Sequence, residues 1–160
     1  MISYLLKRHS SHVSHGMPPR IRLRTSYHEA GHGFFMAQDP LWKGVTIKLT
    51  GGGGLAFAKY RDEDAATSIG SIWKILQMLV AGLVAEQYFF CSYSKIGTFQ
   101  DLQNCLNLIR KHKEDLIEYI ASCDMTQDSG LIEDVKPATA DEDSVAILSA
   151  VIISCLEEVA

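Results

Sequence analysis

The sequence predicts a mainly α (α+β) fold, a helical domain with a small β-hairpin beside a candidate metal-binding helix. Three observations predict it. Residues 65–90 are apolar nearly all round from Ile72 onward, the pattern of a central core helix. Residues 19–37 and 98–120 carry apolar side chains at helical spacing. Between the first of these and the core helix lie two short runs, the first plainly alternating, on either side of four glycines, the signature of a hairpin. With 160 residues, 47% of them hydrophobic, the chain suffices for one ordinary domain with a real core.

Taken in order, residues 1–17 read as a flexible basic arm and residues 18–160 as a single domain. The arm carries His9, His12 and His15, which nothing forces to converge. Lys7, Arg8, Arg20, Arg22 and Arg24 give the first 24 residues +5, and the remainder carries −9, for a net charge of −4. That balance offers no bulk basic field for nucleic acid. Pro18 and Pro19 suit the opening turn of a helix. This helix is expected to run to Ala37, where Gln38-Asp39-Pro40 stops it. Tyr27, Ala30, Phe34 and Ala37 form an apolar stripe on it, with His28 and His32 half-buried at its flank. Gly31 costs about 1 kcal/mol against alanine inside a helix, which close approach of another backbone would offset.

Val45–Leu49 alternates as a half-buried strand, Gly51–Gly54 turns, and Leu55–Tyr60 returns. No Gly-Lys-Ser/Thr follows the glycines, so they are not a phosphate loop. Arg61-Asp62-Glu63-Asp64 suits a helix N-terminus, and the core helix follows over residues 65–90. Glu86 is out of place within it, because a buried carboxylate needs a partner. It can be a metal ligand, a carboxylate orienting a ligand histidine or a member of an ion pair. Residues 92–97 read as a loop. A helix from Thr98 to about Ile120 follows, with Asp101 three residues after Thr98. That spacing fits a capping box, and it also fits an oxygen donor opening onto a cleft. Residues 126–143 read as a linker and 144–160 as a short helix too apolar to stand alone.

Cys91, Cys105, Cys123 and Cys155 form no C-x-x-C pair and read as small apolar side chains of a reduced compartment, the cytoplasm, with an organelle as the alternative. No uninterrupted apolar run reaches the roughly 18 residues of a membrane span.

One stretch carries chemistry. In His28-Glu29-Ala30-Gly31-His32 the two imidazoles lie one helical turn apart on one face and can hold one metal ion. Glu29 lies beside that ion, where it can take a proton from water. This is the H-E-x-x-H arrangement of zinc hydrolases. Catalytic zinc takes three protein ligands, so one is missing, and spacing alone leaves Asp101 and Glu86 equal. The glycine-bearing strand edge at Gly54, Leu55, Ala56 and Phe57 can pair with an extended peptide; equally, the glycines are simply a mobile turn.

Several motifs in order resemble the peptidase domain of the FtsH-type ATP-dependent zinc metalloproteases. Thr25–His32 resembles the family's zinc helix, and Val45–Lys48 the strand after it. Gly54–Phe57 with Arg61–Asp64 resembles the substrate-side strand and acidic turn. Ala81–Glu86 is similar to the Gly-Arg-x-Ala-Glu segment, and Gly97–Leu102 to the Gly-x-x-Asn-Asp-Leu segment with the third ligand. Asp124-Met125-Thr126 is a weaker match to a Gly-Met-Ser turn. The resemblance covers residues 20–131. It implies His28, His32 and Asp101 as Zn2+ ligands, Glu29 as catalytic base and Glu86 as a supporting neighbour. Leu83 and Gln100 depart from the pattern, standing where the family has arginine and asparagine. The expectation is a zinc metalloendopeptidase acting on peptides or unfolded proteins, without its own ATPase, membrane span or nucleic-acid partner, and with an ATPase in trans or an oligomer as further options. The alternative is a non-catalytic zinc-containing module that binds peptides or an ATPase ring.

Overall fold

The computed structural model describes residues 17–50, 53–60, 67–123, 125 and 140–159. The expectations for the arm and its three histidines, for Gly51 and Gly52, for Arg61–Asp64, for Asp124 and for most of the 126–143 linker lie outside these residues. In chain order the described elements are α1 (Pro19–Gln38), β1 (Trp42–Leu49), β2 (Gly54–Tyr60), α2 (Ile69–Phe90), α3 (Lys95–Lys111), α4 (Lys113–Ser122) and α5 (Glu142–Val159). The fold is mainly α with a two-stranded sheet.

The core forms around α2 because that helix has almost no polar face. Leu76, Met78, Leu79 and Val80 are buried on successive sides of it, and each such side chain contributes about 1.5–3 kcal/mol by leaving water. Ser68 starts it, its hydroxyl accepting the Ser71 N–H. Cys91 ends it in the left-handed region, φ 50°. α2 is long and apolar enough to cross a membrane, but 72% of its apolar window is buried inside the protein. α1, α3 and α5 all pack on it. α5 was expected to need a partner surface, and Ile147, Leu148, Val151 and Ile152 bury against this core.

β1 and β2 pair antiparallel, with Thr46 opposite Phe57 and Leu49 opposite Gly54. The register shifts between Lys43 and Thr46, where Gly44 takes φ 66°. The hairpin packs on α1.

Four expectations need correction. The Tyr27-Ala30-Phe34-Ala37 stripe is not the inward face of α1. Phe34 is 44% exposed, whereas His28 and His32 are 3% and 1% exposed and lie with Phe35 and Met36 on the buried side. The histidines go inward because ion pairs and hydrogen bonds satisfy them there. Second, α3 starts at Lys95, since Ser94 caps it by accepting the Gly97 N–H. Thr98 and Asp101 therefore form no capping box. Third, the expected single helix over 98–120 breaks at His112, φ −125° and ψ 27°. No Gly or Pro marks that break. Fourth, Cys105 and Cys155 are buried as expected, but Cys91 and Cys123 sit exposed at helix C-termini.

Candidate metal centre

α1 places His28 and His32 one turn apart, and α2 and α3 close over them. His32 Nδ1 lies 2.7 Å from the Met78 carbonyl oxygen. A carbonyl only accepts, so this nitrogen carries the proton, and Nε2 of a neutral His32 is left as a bare lone pair. His28 Nδ1 lies 2.8 Å from Glu86 Oε1 and donates to it. Its Nε2 is then also turned inward. The two Nε2 atoms stand 3.1 Å apart, and Asp101 Oδ2 is 3.1 Å from that of His28 and 3.6 Å from that of His32.

Three electron-pair donors thus converge in a space from which water is nearly excluded. Such a set needs a positive centre: a proton or a metal ion. One candidate ligand atom from each of His28, His32 and Asp101 falls within 4.8 Å of the others, and the three can hold a metal ion. The donors suit a borderline cation, since imidazole and carboxylate are its usual ligands. Without metal, the proton takes the place. Burial alone would push the His28 imidazole down, but hydrogen bonds to Asp101 and Glu86 outweigh it and raise its pKa to about 9. Burial opposes ionisation of Asp101 as well, yet its bonds to the two histidines hold its carboxyl well below the usual range.

Backbone shape fits the cluster. A Cβ on Gly82 would stand 2.6 Å from Nε2 of both histidines, so only glycine lets α2 pass behind the rings. A Cβ on Gly31 would run into the Ala81 carbonyl oxygen, which is the close backbone approach that its cost in a helix pointed to. Gly54 presses on Glu29 in the same way, with no room for a side chain between strand and carboxylate.

Glu86 is both of the supporting options at once. Oε1 orients His28, while Oε2 takes Arg24 Nη1 at 3.2 Å and the Ser94 N–H at 2.7 Å. It meets His28 at Nδ1, on the side of the ring away from the converging Nε2 atoms. Glu29 is 4% exposed, takes part in none of the ion pairs found among the described residues, and its side chain lies against Gly54, the first residue of β2. Gly54, Leu55, Ala56 and Phe57 occupy β2 itself, paired to β1 along one edge. The sheet has two strands, so the other edge of β2 has no strand beside it among the described residues. Leu83 is buried in the core, and Gln100 is on the surface, donating to Asn104.

Sequence reasoning missed Arg24, Ser94, Met78 and the spacing role of Gly82. Only Gly82 left a signal, as a helix-weakening residue inside the most apolar helix. The other three act through contacts 8 to 62 residues away in the chain. No family model matches this chain, and no curated protein matches it in sequence.

Proposed function

We propose that this protein is a zinc metalloendopeptidase that hydrolyses peptide bonds in peptides or unfolded proteins, of the kind found in the FtsH-type peptidase domain. The observation that carries the reading is the convergence of His28, His32 and Asp101, with Glu29 one residue along the same helix. A zinc ion bound there supplies Lewis acidity to the scissile carbonyl and to the attacking water. The rest falls to the chain's own side chains. His28 and His32 are held in their tautomers by Glu86 and the Met78 carbonyl. Glu29 takes the proton of the attacking water and returns it to the leaving amine. The open edge of β2 offers main-chain donors and acceptors to an extended substrate, and Gly54 sets it against Glu29.

Glu29→Gln keeps the volume and the fold but removes the base. It should retain one zinc per chain while casein cleavage falls by about 10²- to 10⁴-fold. Cleavage at the wild-type rate by that variant would sink the mechanism. The tight burial of all three donors favours a second reading, a structural zinc in a peptide-binding module. One zinc per chain, lost in His28→Ala and Asp101→Ala, with no turnover of casein by the wild type, supports that reading instead.

A further inference from the structure

Arg24 continues the line of the two histidines. Arg24, His28 and His32 follow one another at intervals of four residues on α1, so the guanidinium leaves the helix one turn before the first ligand and on nearly the same face. Its side chain is 30% exposed, yet both terminal nitrogens of the fork are engaged by the protein. Nη1 donates to Glu86 Oε2 at 3.2 Å and to the Ser92 carbonyl oxygen at 3.3 Å. Nη2 donates to Ser92 Oγ at 2.9 Å. The guanidinium carbon lies 5.1 Å from the centre of the Phe90 ring, within range of a cation–π attraction. Ion pairs between two exposed groups contribute little, but here the carboxylate partner is only 2% exposed.

Glu86 is the junction. Its two oxygens accept three bonds, from His28 Nδ1 at 2.8 Å, from Arg24, and from the Ser94 N–H at 2.7 Å. Ser94 caps α3, and its carbonyl oxygen also accepts the N–H and the hydroxyl of Thr98, three residues before Asp101. One carboxylate therefore sets both the ring of a ligand on α1 and the head of the helix that carries Asp101. Among the described residues Arg24 is its only permanently charged partner, because His28 is a cation only when protonated. A buried carboxylate left without a cation is costly. The same fork ties Glu86 to Ser92, in the turn between α2 and α3.

We infer that Arg24 is a positioning residue of the metal centre, which acts through Glu86 and raises the affinity for zinc by holding His28 and the head of α3 in ligating geometry. The inference rests on the reading of His28, His32 and Asp101 as a zinc site, but not on peptide hydrolysis. Two effects of the arginine oppose each other. Its positive charge repels a metal cation, whereas its fork removes the freedom of Glu86 to turn away from His28. Glu86, in contact with both Arg24 and His28, offsets that charge, so the positional effect prevails. Groups hydrogen-bonded to metal ligands change metal affinity by roughly 10- to 100-fold. Arg24 stands one step further out, so the lower figure is expected.

The measurement is the zinc dissociation constant of the full chain, by competition with a chromophoric chelator. Arg24→Met keeps an apolar stem over Phe90 and should weaken zinc binding about tenfold. Arg24→Lys keeps the charge without the planar fork and should also bind more weakly than wild type. Glu86→Gln should weaken binding at least as much as Arg24→Met. Arg24→Met combined with Glu86→Gln should be no weaker than Glu86→Gln alone, since the arginine acts through that carboxylate. Cobalt gives a readout that a mere loss of stability would not move. At saturating Co2+ the visible absorption band of Arg24→Met should shift from that of the wild type toward that of Glu86→Gln. Arg22→Met, at an exposed position of the same helix, should match the wild type throughout. Wild-type or tighter zinc binding by Arg24→Met overturns the inference. So does full recovery by Arg24→Lys, because charge alone then suffices, and so do penalties that add in the double variant or a cobalt band that stays put while only the melting temperature falls. A wild type that binds no zinc removes the metal site and the inference with it. None of these readouts uses peptide cleavage, so they hold whether or not the site is catalytic.

Discussion

Gly82 decides how tightly the His28 and His32 rings can be gathered, because no side-chain atom fits between them and the α2 backbone. Gly82→Ala should therefore act twice. Overpacking costs about 1–3 kcal/mol of stability, and the Nε2 atoms move apart. The expected outcome is a folded protein whose metal content, measured by atomic absorption after equilibration with zinc, falls well below that of the wild type. Gly70, whose added Cβ would meet nothing, is the control: Gly70→Ala should keep both metal and fold. At this scale the sequence was informative where chemistry is local. The i, i+4 histidine pair and the glutamate between them can be read directly. The roles of Arg24 and Ser94 cannot, because each meets Glu86 only after separate elements have packed.

Helix ends are set by single hydrogen bonds, and those bonds explain where element boundaries moved. Ser94 outcompetes Thr98 as a cap because its hydroxyl takes the Gly97 N–H, which lets α3 begin three residues early. Asp101 is thereby released from a capping role and turns toward the histidines. α5 shows the same physics. Asp141 accepts the Ser144 N–H at 3.0 Å and is held by Lys113 at 2.9 Å. The Ser144 backbone bond first, then Lys113, push its carboxyl well below the usual range. A depressed folded pKa contributes stability above the unfolded value, lost as pH falls through the folded one. Asp141→Ala should thus destabilise the protein at pH 7, by an amount that shrinks steadily as the pH is taken below 4 in paired urea titrations. An equal loss at both ends of that range would mean that the carboxylate charge is not involved. The existence and type of α1, the hairpin, α2 and α5 are legible from period and punctuation. The break at His112 is not, since apolar Leu116 and Ile120 continue the pattern of α3 across it.

Across the whole molecule the cluster joins parts that otherwise meet through α2. α1 brings two donors, α3 the third, and both helices pack on the core helix. A bound metal ion is therefore a cross-link, and its affinity adds to the folding free energy. Zinc at 100 times its dissociation constant should add about 2.7 kcal/mol, raising the melting temperature by roughly 5–10 °C for a chain of this size, reversed by a chelator. The metal-free protein should also respond to pH in a definite direction. His28 rises from 6.5 unfolded to about 9 folded, so its contribution is complete below pH 6.5 and is lost as pH climbs to about 9. Melting curves of chelated protein should fall across that window, while zinc-loaded protein, with the metal in the proton's place, should not. A flat profile for the chelated protein would show that no proton is held between the donors.

The sequence by itself determined the helical class, the hairpin and the paired histidines with their glutamate, because those depend on periods of two or 3.6 residues and on neighbours in the chain. It left Asp101 and Glu86 equal, and it placed the apolar stripe of α1 without saying which way it faced. Only the tertiary structure decided both. Packing on α2 turned Asp101 toward the two Nε2 atoms, set Glu86 against the far nitrogen of His28, and left Tyr27 and Phe34 on the outside. Convergence of distant side chains depends on how whole elements cross, and no local pattern records that.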